Sequence, residues 1–235
     1  MENYRLEGKT FVIDDYDRLP AFSSFLPGLA GVKGIPMWTF YTNRGQGMNS
    51  FGIDNKGNAI MEFNSANTAF ENTTVKGFRT FLKIDGEYYE PFFKYEKEAK
   101  RQIRMNKNSF KIIETNEKYG IEVTVNYFIL PNESIGALVR QVSVKNISDS
   151  AKDIEVIDGL PKIITYGISN GEFKEMSNLF KSWAYIKNID NKVPYYTLRA
   201  STKDSAEVSD VEGGYYYLTI KDGELQDVIY DVDTV

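Results

Sequence analysis

Residues 121–129 read IEVTVNYFI, and this segment is the clearest indication of the fold. Its apolar side chains occupy every second position, namely Ile121, Val123, Val125, Tyr127 and Ile129. Polar side chains lie between them, namely Glu122, Thr124 and Asn126. A period of two places alternate side chains on opposite faces of a β-strand. The segment therefore predicts a strand with one face on a core and the other in water.

The same period recurs on both sides of this segment, at residues 78–84, 110–112 and 154–156. Turn-forming pairs such as Asp85-Gly86 and Asp222-Gly223 separate the strand patterns. Many short, regularly punctuated antiparallel strands are typical of a sandwich. We therefore predict a mainly β protein in which residues 1–235 form one large antiparallel β-sandwich domain.

One short helix is predicted after Ser169. Ser169 and Glu172 have the spacing of a capping box, in which each side chain bonds the other residue's backbone N–H. The apolar residues that follow share one helix face, namely Phe173, Met176, Phe180 and Trp183. We expect this helix to lie over an end or edge of the sandwich.

The composition argues against several kinds of site and partner. The 235 residues include no Cys and no His, which leaves no thiolate or imidazole ligands or nucleophile–base pairs in this chain. The net charge of -5 gives no drive toward nucleic acid or anionic lipid. No apolar run approaches about 20 residues, and the charged start after Met1 is unlike a signal peptide. We expect a cytoplasmic protein with no cofactor, no metal, and no nucleic-acid or membrane partner.

Residues 41–47, YTNRGQG, form a compact polar cluster within a segment rich in Gly, Pro and aromatic residues. Amide and guanidinium groups hydrogen-bond sugar hydroxyls, and arginine can bind phosphate through two bonds. The glycines would let the backbone approach a ligand. We therefore predict substrate contacts from four residues, namely Asn43, Arg44, Gln46 and Asn49. The alternative is a hairpin loop whose glycines need positive φ.

The aromatic residues before this cluster have two possible roles. By alternation Trp38 and Phe40 share one face of a strand, and Tyr41 lies on the other. They could form a platform for stacking on sugars, or pack in the core.

An acidic cluster near the start of the chain and a single arginine, Arg140, are further candidates for a functional site. Asp14, Asp15 and Asp17 could supply paired carboxylates for glycoside cleavage, or form a turn closing the first hairpin. Arg140 shares a face with apolar residues, so it must be paired or lie at a cleft unless a bulge turns it outward. It is a secondary site candidate.

Several motifs resemble a known family. The motifs FSSFLPGLAG, GIPMW, NRGQG and IMEFNSANTAFE lie within residues 22–71, and GFRTFLK and VSVKNISDSAKDIEVIDGLP follow at residues 77–83 and 142–161. They resemble the N-terminal domain of the inverting glycoside phosphorylases of the cellobiose phosphorylase group, and are most similar to the β-1,2-oligoglucan phosphorylase branch. The resemblance implies a super-β-sandwich of the galactose mutarotase-like kind. In that family a helical linker and an (α/α)6 barrel follow it.

The resemblance also implies a function. The chain would be the carbohydrate-binding and scaffold domain of an enzyme that cleaves β-glucosides with inorganic phosphate as co-substrate and with inversion. Its partners would be a β-linked oligosaccharide, its own C-terminal catalytic barrel, and a second copy in a homodimer. Asn43, Arg44 and Gln46 would lie on a loop facing the substrate cleft. The catalytic aspartate belongs to the barrel, so this chain would be a fragment that is inactive alone.

Two other functions stay open at this point. A stand-alone carbohydrate-binding module would use Trp38, Tyr41 or exposed tyrosines as its platform. A complete mutarotase-like epimerase is disfavoured, because such enzymes commonly depend on histidine, which this chain lacks.

Overall fold

A computed structural model of the chain describes residues 3–94, 96–199, 206–207 and 213–230. Its strands, in chain order, are β1 (Tyr4–Glu7), β2 (Thr10–Asp14), β3 (Ser23–Ala30), β4 (Ile35–Thr42), β5 (Met48–Ile53), β6 (Ala59–Met61), β7 (Arg79–Ile84), β8 (Glu87–Tyr89), β9 (Ala99–Met105), β10 (Ser109–Asn116), β11 (Ile121–Ile129), β12 (Leu138–Asn146), β13 (Ile154–Gly159), β14 (Ala184–Lys187), β15 (Tyr195–Leu198), β16 (Tyr215–Tyr216), β17 (Ile220–Lys221) and β18 (Glu224–Leu225). The helices are α1 (Ala66–Lys76) and α2 (Asn170–Trp183), and short 3-10 turns occupy Tyr16–Arg18, Lys56–Asn58 and Ile189–Asn191.

The sheets are antiparallel. The largest has six strands in the order β1-β2-β9-β10-β11-β12, and a second has four in the order β3-β4-β5-β6. Smaller sheets have the orders β13-β7-β8, β14-β15-β16 and β17-β18. Strand β11, which is the segment IEVTVNYFI, pairs with a strand on each side. Its Val125 lies opposite Ile112 of β10 and Val142 of β12.

One large core lies between the six-stranded sheet and the sheets built on β4 and β7. The predicted inward residues of β11 are all buried in it, namely Ile121, Val123, Val125, Tyr127 and Ile129. Aromatic pairs span the layers, with ring centroids 4.4 Å apart for Tyr41 and Phe110 and 5.8 Å apart for Phe78 and Tyr127. Two layers around one core make a β-sandwich, so the predicted fold class is confirmed.

Helix α2 begins where the sequence predicted. The backbone N–H of Glu172 donates to Ser169 Oγ at 3.2 Å, and that of Ser169 donates to Glu172 Oε2 at 2.8 Å. Phe173 and Phe180 are buried in a second apolar cluster, with Ala59 of β6 and Leu198 of β15. The helix therefore covers the β6 edge of the four-stranded sheet, as expected for its position over a sandwich edge.

Helix α1 corrects the prediction of a single helix. Its buried residues are Ala69 and Thr73, and it contacts β4 and β5 through hydrogen bonds as well as packing. Thr73 Oγ1 donates to the carbonyl of Ala69 at 2.6 Å and accepts from Asn49 Nδ2 at 3.2 Å. Because α1 is held through small and polar side chains, its sequence has no apolar residues repeating every 3.6 positions, and the helix cannot be predicted from such a pattern. Neither α1 nor α2, among the described residues, is long and apolar enough to cross a bilayer.

Candidate functional site

The polar cluster at residues 43–47 is the loop that joins β4 to β5. Gly45 and Gly47 have φ of 50° and 80°, in the left-handed region that glycine tolerates best. A Cβ at Gly47 would also collide with the ring of Phe110. The alternative prediction, a hairpin loop whose glycines need positive φ, is therefore confirmed. The lack of a side chain at Gly47 lets the backbone approach the core ring of Phe110.

Asn43 is fully buried, and its side-chain hydrogen bonds hold the N-terminal end of this loop in place. Its Nδ2 donates to the carbonyls of Tyr16 at 3.0 Å and Pro20 at 2.9 Å, and its Oδ1 accepts from the N–H of Phe22 at 2.9 Å. Both ends of the amide are thus used within the protein. Contact between Asn43 and a substrate stays a prediction.

Asn49 lies on β5, just after the loop, and its side chain holds this end in place. Its Nδ2 donates to the carbonyl of Ala69 at 3.3 Å and to Thr73 Oγ1 at 3.2 Å, which joins the strand to α1. Asn49 Oδ1 is buried without a hydrogen-bond partner among the described residues. Its predicted role in substrate binding is likewise untested by this geometry.

Gln46 belongs to a buried polar group that we call the Arg140 cluster, consisting of Gln46, Thr80, Tyr127, Arg140 and Asp158. The guanidinium of Arg140 forms an ion pair with Asp158 and donates to Gln46 Oε1. Its Nε also donates to Tyr127 Oη at 3.2 Å. Gln46 Nε2 donates to Thr80 Oγ1 at 3.1 Å, and Thr80 Oγ1 donates to Asp158 at 2.6 Å. The cluster links the loop to β7, β11, β12 and β13.

This cluster settles how Arg140 is accommodated on an apolar strand face. Its side chain is only 7% exposed, and β11 pairs with β12 in unbroken register through Tyr127 and Arg140. Arg140 is therefore paired within the core, and no bulge turns it outward.

Arg44 differs from the other three predicted residues, because it is only half-buried. Its Nη1 donates to the carbonyl of Asn43 at 2.7 Å, and its Nη2 donates to the carbonyl of Leu19 at 3.1 Å. No carboxylate among the described residues lies within ion-pair distance of it. The other buried or half-buried arginines in the described ranges all pair with carboxylates, namely Arg5, Arg79, Arg101, Arg104 and Arg140. Arg44 is thus a cation fixed by backbone carbonyls, with no counter-charge in the part of the chain that the structure describes.

The acidic cluster near the start of the chain has a structural role. Asp14 pairs with Arg5, and Asp17 pairs with Arg101 at 2.7 Å. Asp15, at φ 48°, begins the 3-10 turn that follows β2. The prediction that this segment closes the first hairpin is wrong, because residues 8–9 connect β1 to β2. Within the described ranges, no group of three Asp or Glu is placed to hold a metal ion.

An open depression of about 340 Å³ lies on the outer face of the four-stranded sheet. We call it the aromatic groove, and its lining residues are Phe25, Trp38, Asp54, Asn55, Lys56 and Phe63. Phe40 is buried beside it, and Tyr41 points to the opposite face, where it stacks on Phe110. The predicted alternation of these aromatics is confirmed.

Most of the aromatic groove is not predicted by the sequence. The alternation predicts a possible platform role for Trp38, but gives no such role to Phe25, Phe63 or the turn at residues 54–56. The available signal was the register of β3 and β4: Phe25 lies opposite Phe40, which shares a face with Trp38. Only the pairing of the strands shows that these rings meet.

A search against protein-family models finds no match to this chain, and a search of curated proteins also finds none. The resemblance to glycoside phosphorylases therefore stays a prediction based on motifs.

Proposed function

We propose that this chain is the carbohydrate-binding and scaffold domain of an inverting glycoside phosphorylase that acts on β-glucosides. One observation carries the proposal: the half-buried guanidinium of Arg44 has no carboxylate partner among the described residues. A partly desolvated cation gains from an anionic or strongly polar partner. Inorganic phosphate, the co-substrate of such an enzyme, and glucan hydroxyls both have the required chemistry.

The surroundings of Arg44 support this role. Asn43 on one side of it and Gln46 on the other are buried and bonded to distant parts of the chain. A loop fixed in this way loses little conformational entropy when a ligand binds. In this proposal Arg44 contacts the sugar or phosphate, while Asn43, Gln46 and Asn49 hold the loop in place. Direct contacts from Asn43 or Gln46 would require their present hydrogen bonds to be exchanged, whereas Asn49 Oδ1 has no partner among the described residues.

The chemistry itself would belong to another module. The proposed parent enzyme carries its catalytic aspartate in an (α/α)6 barrel, and this sandwich would supply scaffold, homodimer contacts and the Arg44 loop. A cytoplasmic location fits a reaction that consumes inorganic phosphate. This chain alone would turn over no substrate.

Kinetics of the enzyme with its barrel would test the role of Arg44. We expect Arg44→Ala to raise the KM for phosphate or for the glucan at least several-fold, because a fixed cation is lost from the substrate cleft. The matched control is Arg104→Ala, which removes a half-buried arginine that pairs with Glu7 on the other large sheet. Unchanged KM values in Arg44→Ala would exclude this loop from the site.

A stand-alone carbohydrate-binding module is the second candidate, and the aromatic groove favours it. Such a module has no use for phosphate. Calorimetric titration of this chain with inorganic phosphate separates the two: binding that Arg44→Ala abolishes supports the phosphorylase domain. Binding of oligoglucans with no response to phosphate supports the module.

A further inference from the structure

We propose that the aromatic groove is a subsite for a glucosyl residue of a β-linked glucan, an inference that rests on the proposed function. The ring of Trp38 stands at a steep angle to those of Phe25 and Phe63, which lie at only 27° to each other. The centroid of the Trp38 ring lies 5.7 Å from that of Phe63, with 89° between the ring planes. It lies 6.2 Å from the centroid of Phe25, with 66° between the planes. Phe25 is 50% exposed, so its ring is available to a ligand. The C–H face of a β-glucosyl ring is apolar and packs on such surfaces.

The rim of the groove supplies hydrogen-bonding groups of both kinds. Asp54 and Lys56 are exposed, and neither forms an ion pair among the described residues. The turn that carries them is fixed, since the N–H of Asp54 donates to the carbonyl of Pro36 at 3.0 Å and Asn55 Oδ1 accepts from the N–H of Gly57 at 2.8 Å. Asp54 also has φ of 58°, which is uncommon outside glycine and places the turn in a defined conformation. A carboxylate and an ammonium beside an aromatic wall suit the hydroxyls of a sugar.

Trp38 brings an unsatisfied buried donor to the wall of the groove. Its Nε1 is buried and has no hydrogen-bond partner among the described residues. Buried donors are normally satisfied, and one that is not calls for an explanation. The indole is held in place over Gly52, where a Cβ would lie 2.8 Å from Cζ2 of Trp38.

The size of the groove favours a sugar over a protein partner. Its volume of about 340 Å³ falls within the range of small-molecule pockets, roughly 300–1,000 Å³. A stable protein interface needs a contact area of about 1,000 Å² or more, and its centre is usually poor in charge. Here two opposite charges, on Asp54 and Lys56, lie at the edge of a short aromatic depression.

Calorimetric titration of the 235-residue chain with β-1,2-, β-1,3- and β-1,4-linked gluco-oligosaccharides tests the proposal. We expect at least one series to bind, with Phe25→Ala weakening the affinity about fivefold or more through loss of ring contact. Lys56→Ala should weaken the affinity about threefold, because one hydrogen bond from a charged donor at the exposed rim is lost. The matched control is Tyr88→Ala, which removes an 82% exposed ring from β8 and should leave the affinity unchanged.

Phe25 also contacts Phe40, with centroids 4.8 Å apart, so the variant could fail for structural reasons. Phe25→Tyr retains the ring and should restore binding, and urea midpoints of all variants would identify any loss of folding. Equal affinity in wild type, Phe25→Ala and Lys56→Ala would overturn the subsite while leaving the proposed function intact, because the glucan would then bind elsewhere.

Two further outcomes would also overturn the subsite. One is the absence of oligosaccharide binding by the wild-type chain, in which case the KM test on Arg44 still decides the proposed function. The other is a wild-type dimer that Phe25→Ala converts to a monomer with no change in sugar binding, which would make the groove a contact between copies.

Discussion

Arg140 shows what a single residue in an otherwise apolar strand face requires. Its charge on the inner face of β12 predicts a partner or a cleft, and the structure supplies the carboxylate of Asp158 together with Gln46 and Tyr127. The ring of Phe78 lies 5.2 Å from the guanidinium carbon. Breaking a buried pair by removing one partner is costly, because the other charge is left without compensation.

We therefore predict that Arg140→Met destabilises the protein by about 3 kcal/mol, since Asp158 and Gln46 lose their common donor. The measurement is the urea midpoint at neutral pH, with the slope of the transition checked for two-state behaviour. The control is Lys83→Met, which breaks the exposed pair with Glu155 and should cost less than about 1 kcal/mol. Equal losses in the two variants would contradict a special role for the Arg140 cluster.

At the scale of elements, the loop between β4 and β5 is fixed by backbone conformation as much as by side-chain bonds. Gly45 and Gly47 both have positive φ, and Gly47 also faces Phe110 of β10 across the core. Tyr16 Oη donates to the carbonyl of Gly45 at 2.7 Å from beneath. The loop that carries Arg44 is thus tied to the opposite layer of the sandwich.

Gly47→Ala should destabilise the protein by at least about 2 kcal/mol, because strained φ adds to a collision with the core ring of Phe110. Gly8→Ala is the matched control: Gly8 has φ of 62° but nothing within 4 Å of a Cβ, so about 1 kcal/mol is expected. Thermal or urea unfolding of both variants provides the comparison. Similar losses would mean that Phe110 moves aside at little cost.

At the scale of the whole molecule, the core between the layers contains phenol groups as well as aliphatic side chains. Burial raises the pKa of Tyr16 and Tyr127, and burial together with the charge of Glu114 raises that of Tyr89. A phenol whose pKa is raised in the folded state stabilises the fold fully below its unfolded pKa of about 10. That contribution is lost as the pH rises from this value through the folded pKa.

We predict that the free energy of unfolding falls steeply above pH 10. Each buried tyrosine contributes a slope of up to about 1.4 kcal/mol per pH unit, since the unfolded chain releases a proton that the folded chain retains. Tyr16→Phe should reduce this slope above pH 10 and leave it unchanged below pH 9. Tyr88→Phe, at an 82% exposed position, should change neither. A slope in Tyr16→Phe equal to that of the wild type would show that Tyr16 ionises without unfolding.

Local sequence patterns are enough to predict several strands of the large sheets, several turns and the start of α2. These features depend on local patterns: the period of two in β11, the Asp85-Gly86 pair with φ of 49° and 92°, and the capping box at Ser169. Neighbouring side chains and backbone angles decide such structures, so they can be recognised without knowledge of distant contacts.

Tertiary structure alone decided which polar residues stay available to a ligand. Asn43, Arg44 and Gln46 lie close together in sequence and all carry hydrogen-bond donors. Yet Asn43 is bonded to the backbone of Tyr16 and Gln46 to Arg140, while Arg44 has no counter-charge among the described residues. The aromatic groove likewise exists only because the register of β3 and β4 brings Phe25 near Trp38. Burial and pairing between residues far apart along the chain depend on how the layers meet, and no local pattern contains that information.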